Sequence, residues 1–310
     1  MVSRIDVHQH LLPARYREAL LAAGADTHGW PLPEWSVEEA LAMMDRRSIA
    51  TGILSVSTPG THFGDDAAGR ALTREVNDFQ AGLRADHPGR FGHFASLPLP
   101  DVEGAVAEAV RALDELDADG VVLLSNYRGT YLGDPVFAPL WTELDARAAV
   151  VFVHPTAPPM PGLPGLPGPV VDYPADTTRT ATHMAANGVF RRYPAVKVIL
   201  SHAGGFVPYA GPRLAAAGMF SGEVTPEQVL EDLRGCYFDT ALSGTPMTLP
   251  SLLAFAKPGH VLYGSDAPFA PERWGTMVDA ALDGYEGWAE GQLAEVNRLS
   301  AEKLFPRYAR

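Results

Sequence analysis

Short apolar segments alternate with amphipathic ones along the whole chain. Eight segments are almost continuously apolar, which is typical of strands buried on both faces of a parallel sheet. They begin at Arg4, Thr51, Arg90, Gly120, Ala149, Val196, Cys236 and His260. The segments between them carry apolar residues three and four positions apart, which predicts helices. The pattern predicts an α/β fold, a (β/α)8 TIM barrel formed as one domain over residues 1–310. A doubly wound open sheet is the alternative, because the sequence does not give the strand order.

One segment interrupts this regular alternation. Residues 154–174 read HPTAPPMPGLPGLPGPVVDYP, and so many prolines and glycines predict irregular structure. The segment starts where the fifth strand ends, and barrel enzymes carry their active sites at that end of the strands. We interpret this Pro/Gly-rich loop after strand 5 as a semi-rigid lid, with a surface loop of no functional role as the alternative.

Composition and charge exclude several classes of protein. The formal net charge of −13 argues against a nucleic-acid partner or an anionic membrane surface. A single cysteine, Cys236, excludes an intramolecular disulfide framework and a cysteine-cluster metal site. No apolar run reaches the roughly 18 residues of a membrane span, and the first residues lack the pattern of a signal peptide. We therefore expect a soluble cytoplasmic protein.

Five polar residues stand at the ends of otherwise apolar strands. They are His8, His10, His154, His202 and Asp266. The carboxyl ends of barrel strands converge on one face, so these side chains are expected to meet around one point. Residues two apart on a strand point to the same side, so His8 and His10 can bind one ion together. Each residue alone also fits an ordinary hydrogen-bonded position, but together they predict a site for zinc or another divalent metal.

Four motifs resemble the amidohydrolase superfamily, in the branch of aminocarboxymuconate-semialdehyde decarboxylase and γ-resorcylate decarboxylase. They are IDVHQH, VFVHPT, LSHAGG and YGSDAP, and longer segments are similar to the 6-methylsalicylate decarboxylases. The resemblance implies an amidohydrolase-type barrel with His8, His10, His154 and Asp266 as metal ligands and His202 as a catalytic histidine. It also implies a homodimer in which Arg213 crosses the interface and holds a substrate carboxylate.

Two departures from related sequences narrow the expected chemistry. Pro33, Glu34 and Trp35 stand where the semialdehyde decarboxylase has a substrate-binding arginine, which suits a flatter, more apolar aromatic acid. Many hydrolases of the superfamily bridge two metals with a carboxylated lysine. Here Lys197, Lys257 and Lys303 are the only lysines, and none ends a strand on the ligand side. We therefore expect one divalent ion, zinc first and manganese next.

The expected activity is non-oxidative decarboxylation of an ortho-hydroxybenzoate-type acid similar to 6-methylsalicylate. The metal would chelate the carboxylate and the hydroxyl, while Asp266 and His202 would handle the proton. Two alternatives stay open: a mononuclear hydrolase of a lactone, amide or carbon–carbon bond, and a non-catalytic metal-binding barrel. Asp239 is expected to orient a ligand or a helix start, without a catalytic role. Weaker candidates for the pocket and its apolar walls are Asn126, Tyr127, Arg179, Trp35, Phe206 and Phe269.

Overall fold

Eight parallel strands form a nearly closed barrel in the computed structural model, which describes residues 3–25 and 28–309. Neighbouring strands of this sheet follow one another in chain order, and every pair within it is parallel. The strands are β1 (Arg4–His10), β2 (Ile49–Ser55), β3 (Phe91–Ala95), β4 (Gly120–Leu124), β7 (Val150–His154), β8 (Lys197–Leu200), β9 (Tyr237–Asp239) and β10 (Val261–Leu262). A short hairpin, β5 (Asn126–Tyr127) and β6 (Thr130–Tyr131), follows β4. The predicted barrel is confirmed, and the open-sheet alternative is wrong.

The first and last strands close the barrel through backbone hydrogen bonds. The amide of Val7 donates to the carbonyl of Tyr263 at 3.0 Å, and the amide of His10 donates to that of Ala267 at 2.7 Å. Gln9 and Ala267 form a parallel bridge at the same place. The two ends of the chain's sheet are therefore joined where two of the sequence motifs meet.

Helices surround this barrel and cover its outer face. They are α1 (Ala14–Ala22), α2 (Val37–Arg46), α3 (Asp66–Asp86), α4 (Val102–Asp114), α5 (Ala138–Ala146), α6 (Gly168–Ala186), α7 (Val189–Arg192), α8 (Val207–Ala215), α9 (Gly218–Ser221), α10 (Pro226–Gly235), α11 (Leu249–Phe255), α12 (Glu272–Asp283), α13 (Gln292–Ala294) and α14 (Ser300–Leu304). Within residues 3–25 and 28–309, no helix combines the length and the apolar character that a membrane span needs. The cytoplasmic location stays a prediction.

The barrel interior is filled by apolar side chains, so it is a packed core and not a channel. One buried cluster takes Ile5, Val7, Ile53, Phe94, Val122, Phe152, Ile199 and Leu262 from seven strands. Phe305 and Tyr308, near the C-terminus, pack against this cluster, and the Tyr308 hydroxyl donates to Asp119 at the start of β4. The C-terminal segment thus covers the amino ends of the strands and leaves their carboxyl ends open for a site.

The prediction of irregular structure up to residue 174 is wrong in its last part. Helix α6 begins at Gly168 and includes Pro169 and Pro174. Pro169 lies in the first turn, where a helix needs no amide donor, so its ring is tolerated there. The carbonyl of Pro174 accepts a hydrogen bond from the Thr178 hydroxyl at 2.8 Å. The irregular loop is therefore confined to residues 155–167.

A buried histidine on the outer face of β3 makes the fold sensitive to acid. Burial, with the Arg84 and Arg307 guanidinium groups nearby, lowers the pKa of His93 from 6.5 to about 4. In the unfolded chain His93 therefore binds a proton below about pH 6.5, whereas in the folded protein it binds one only below about pH 4. We predict that the free energy of unfolding falls over this window, by roughly 3 kcal/mol from this residue.

Denaturant unfolding at pH 7 and pH 4.5 measures this effect. His93→Leu should flatten the pH dependence, because it removes the buried imidazole. An equal loss of stability on acidification in the parent and in His93→Leu would contradict the assignment.

Candidate metal centre and active-site cavity

Four of the predicted residues meet at the carboxyl ends of the strands. His8 and His10 come from β1, His154 ends β7, and Asp266 follows β10. One potential ligand atom from each lies within 4.8 Å of all the others, and all four residues are buried. The three imidazole rings stand nearly perpendicular to one another, with interplanar angles of 86°, 87° and 90°. This is the arrangement of a metal-binding site.

Hydrogen bonds behind the cluster fix which ring nitrogen of each histidine faces inwards. Nδ1 of His10 lies 3.2 Å from the carbonyl oxygen of Ser55, and Nδ1 of His154 lies 2.8 Å from that of Pro155. A carbonyl oxygen only accepts, so both Nδ1 atoms carry hydrogen, and each Nε2 offers a lone pair. The Nε2 atoms of His8 and His10 are 3.1 Å apart. Unless a cation or a proton lies between these two atoms, their lone pairs face each other and repel.

Asp239 completes the support of the cluster. Its Oδ2 lies 2.8 Å from Nδ1 of His8, and its Oδ1 accepts hydrogen bonds from the amides of His202 and Ala241, each at 2.9 Å. A carboxylate on the outer nitrogen of a ligand histidine orients the ring and strengthens it as a donor. The orienting role expected for Asp239 matches these contacts, and the same carboxylate also holds the turn that carries His202.

The electrostatics of the cluster favour one positive charge at its centre. Burial lowers the pKa of His10, and burial with the neighbouring rings of His10 and His8 holds the pKa of His154 well below its usual value. Burial alone would lower the pKa of His8, but the Asp239 and Asp266 carboxylates outweigh it and raise that pKa to about 10. Two neutral imidazoles beside two carboxylates suit a divalent ion, which would replace the proton of His8.

His202 lies beside the cluster and not within it. Its Nε2 is 3.3 Å from Oδ2 of Asp266, and the centre of its ring is 4.8 Å from that of His8. His202 and Ala203 have φ angles of 52° and 56°, the left-handed region that costs a residue with a side chain free energy. The hydrogen bond that the amide of His202 donates to Oδ1 of Asp239 offsets part of that cost and keeps the imidazole beside Asp266.

A cavity of about 420 Å³ opens directly onto the cluster. Asp266, His154 and His202 line its floor. Its walls are mostly apolar and come from loops and helix starts: Trp30, Leu32, Pro169, Val170, Phe206, Leu242, Met247, Phe269 and Trp274. The irregular loop 155–167 does not line it; the lining residues of the expected lid, Pro169, Val170, Tyr173 and Pro174, belong to the first turns of α6.

The remaining candidates are divided between the cavity and other places. Phe206 and Phe269 line the cavity, as expected for apolar walls. Arg213 is exposed on α8 and does not line the cavity of its own chain. Asn126, Tyr127, Arg179 and Trp35 also lie outside the cavity lining. Trp30, Leu242 and Met247 were missed because loop residues carry no periodic signal in the sequence.

Barrel topology and a His-His-His-Asp cluster at the strand ends define a class of metal-dependent barrel enzymes. The chain belongs to the amidohydrolase family, whose model matches residues 5–307. It is 43% identical over 326 residues to the decarboxylase yanB of Aspergillus niger, covering 99% of this chain and 88% of that protein. It is 40% identical over 315 residues to 6-methylsalicylic acid decarboxylase of Penicillium expansum, covering 99% and 97%.

The solved structures agree with this assignment. A crystal structure of an amidohydrolase II has 36% sequence identity to this chain and a TM-score of 0.92. The match covers 98% of this chain and 100% of that one. The curated relatives are decarboxylases of this family, so the resemblance seen in the four motifs is confirmed.

Removing one histidine of the cluster should remove the metal. We predict that the parent protein retains one divalent ion per chain, and that His154→Ala lowers the affinity of the protein for this ion by at least roughly tenfold. Loss of even an outer partner of a metal ligand costs about tenfold to a hundredfold in affinity. Metal analysis after dialysis and competition with a chelator measure this. His62→Ala is the matched control, because His62 lies outside the cavity lining and its Nε2 is 2.8 Å from Oδ1 of Asp66. Equal metal content in the parent and His154→Ala would contradict the site.

Proposed function

We propose that the protein is a metal-dependent, non-oxidative decarboxylase of an ortho-hydroxybenzoate-type acid, with 6-methylsalicylate as the representative substrate. The observation that carries the proposal is the opening of the His-His-His-Asp cluster into an apolar cavity through Asp266, His154 and His202. The names of relatives that match 99% of the chain at 40–43% identity support the same reaction.

The cavity suits a small planar ring that carries a single charged group. About 420 Å³ is within the range for sites of small molecules, and the aromatic side chains of Trp30, Phe269 and Trp274 line it. None of its lining residues in the described part of the chain is a lysine or an arginine. The carboxylate of a bound acid is therefore expected at the cluster, with the ring against the apolar walls.

A divalent cation held by His8, His10, His154 and Asp266 would bind the carboxylate and the neighbouring hydroxyl oxygen, and would offset their negative charge as bonds rearrange. The donor set of imidazoles and one carboxylate fits zinc, and manganese is the second choice. The ring orientations set by Asp239, Ser55 and Pro155 keep the three Nε2 lone pairs directed at this position.

Asp266 is placed to move the proton. Burial alone would raise its pKa, but the positive charge on His8, whose place the cation would take, and the hydrogen bond from His202 hold that pKa well below its usual value. The carboxylate is therefore ionised and can accept the proton of the substrate hydroxyl. The oxygen's electron pair is then delocalised onto the ring carbon that bears the carboxylate, and this carbon takes the proton from Asp266.

Loss of CO2 completes the reaction. The bond between the ring and the carboxylate breaks, its electron pair restores the aromatic ring, and water supplies the proton that the hydroxyl oxygen regains. His202 hydrogen-bonds to Asp266 and holds its carboxylate towards the cavity. The Nδ1 atom of His202 is buried and has no hydrogen-bond partner among the described residues, so the contact of this ring with Asp266 is made by Nε2.

Decarboxylation of 6-methylsalicylate tests the proposal. We expect CO2 in the headspace and 3-methylphenol in solution in equal amounts, loss of both after chelation, and recovery with zinc or manganese. His202→Asn should lower kcat by roughly 10²–10⁴-fold with unchanged metal content, as for removal of a group that assists proton transfer, while His62→Asn should match the parent. Activity that survives complete chelation would contradict the proposal, and acid release from lactones or amides without CO2 would indicate a hydrolase.

We also propose that two copies pair around the cavity mouth and that Arg213 of one copy contacts the substrate carboxylate in the other. Arg213 lies on α8, which also exposes Tyr209 (85%) at the cavity mouth, and Met247 (90%) is exposed at the same mouth. The described residues that line this mouth include no lysine or arginine. Exposed apolar side chains around it therefore support a partner that covers them and supplies a positive charge.

Arg213→Ala tests this pairing. We predict that it raises KM for the acid roughly tenfold to a hundredfold, because a charge-assisted hydrogen bond is lost. Steady-state kinetics and analytical ultracentrifugation provide the measurements, with Arg74→Ala on the exposed face of α3 as the control. A monomeric parent, or an unchanged KM in Arg213→Ala, would overturn it.

A further inference from the structure

Strict alternation along β1 does not by itself bring His8 and His10 into the site. Ile5 and Val7 point into the barrel core, so a regular strand would turn Gln9 inwards and both histidines outwards. Between Asp6 and Gln9 the strand advances three residues while its partner β2 advances two, from Gly52 to Leu54. One extra residue is a β-bulge, and it reverses the side on which His8 and His10 lie.

Asp6 satisfies the backbone at this bulge. Its Oδ1 accepts a hydrogen bond from the amide of His8 at 3.0 Å and from the amide of Ser265 at 2.9 Å. Asp6 is completely buried, and its Oδ2 has no hydrogen-bond partner among the described residues. A buried amide left without an acceptor costs free energy, so one carboxylate oxygen stabilises both the bulge and the segment after β10.

The second of these amides connects Asp6 to the fourth residue of the cluster. Ser265 directly precedes Asp266, whose φ of 56° is in the left-handed region. The amide of Asp266 donates to the carbonyl of His8 at 2.8 Å. Oδ1 of Asp266 then lies 3.3 Å from Nε2 of His8 and 3.2 Å from Nε2 of His10. Asp6 thus joins the two chain segments that supply three of the four cluster residues.

We infer that Asp6 is a positioning residue of the metal centre, which sets the distance between the β1 histidines and Asp266 through its two backbone contacts. This inference rests on the proposed metal-dependent function. We assign this positioning role to the acceptor oxygen Oδ1 and not to the negative charge of Asp6. Oδ1 accepts both hydrogen bonds, and Oδ2 accepts none from the described residues.

Cobalt binding tests the inference separately from turnover. We expect Asp6→Ala to weaken Co²⁺ binding by roughly tenfold to a hundredfold and to change the visible absorption spectrum of the bound ion, because the ligand geometry changes. Asp6→Asn keeps the acceptor oxygen, so it should bind Co²⁺ within about threefold of the parent and with the parent's spectrum. If Asp6→Ala does not fold, Asp6→Ser takes its place, since its shorter side chain does not span both amides.

Asp119→Ala is the matched control. Asp119 is also buried and accepts hydrogen bonds from the amide of His93 at 2.9 Å and the Tyr308 hydroxyl at 2.8 Å, but at the opposite end of the barrel. It should destabilise the fold without changing Co²⁺ affinity or spectrum. Parent-like cobalt binding in Asp6→Ala, or the same loss in Asp6→Asn, would overturn the role of Asp6. A parent that binds no cobalt would instead overturn the proposed function.

Discussion

Lone pairs of three buried imidazoles and one carboxylate are directed at a single point, and this arrangement requires a positive charge there. The Nε2 atoms of His8 and His10 approach to 3.1 Å, and burial keeps the rings of His10 and His154 neutral. Water cannot screen so close a contact inside the barrel. A cation in the cluster replaces the repulsion between these lone pairs with metal–ligand bonds. The hydrogen bonds behind the cluster and the cavity in front of it are arranged around this position.

The barrel brings the four ligand residues to one face, and the residues behind the cluster set the orientation of their side chains. Parallel strands bring four distant segments to one face, but strand ends alone do not fix the rotation of an imidazole ring. Asp239 fixes His8 and the His202 turn together, and Asp6 fixes the backbone on both sides of the closure between β1 and β10. Loops and the start of α6 then surround the open side with mostly apolar walls, and Asp266, His154 and His202 lie at the floor of the cavity.

The strand ends of the site were predictable because burial imposes a simple rule on the sequence. Apolar runs identify strands of a parallel sheet, and a histidine or aspartate that ends such a run stands out against them. His8, His10, His154, His202 and Asp266 all follow this rule. The bulge in β1 was not predictable, because it depends on contacts of Asp6 with Ser265, 259 positions away in the sequence. The start of α6 was also missed, since Pro169 is tolerated only in the first turn and the sequence does not show where that turn begins.

X-ray absorption spectroscopy at the edge of the metal retained by the purified parent protein tests the central claim most directly. The account predicts one ion per chain, with three imidazole nitrogens and one or two oxygens at about 2.0–2.2 Å if the ion is zinc. A protein that retains no ion, or a first coordination shell with fewer than two imidazoles or with sulfur, would contradict it.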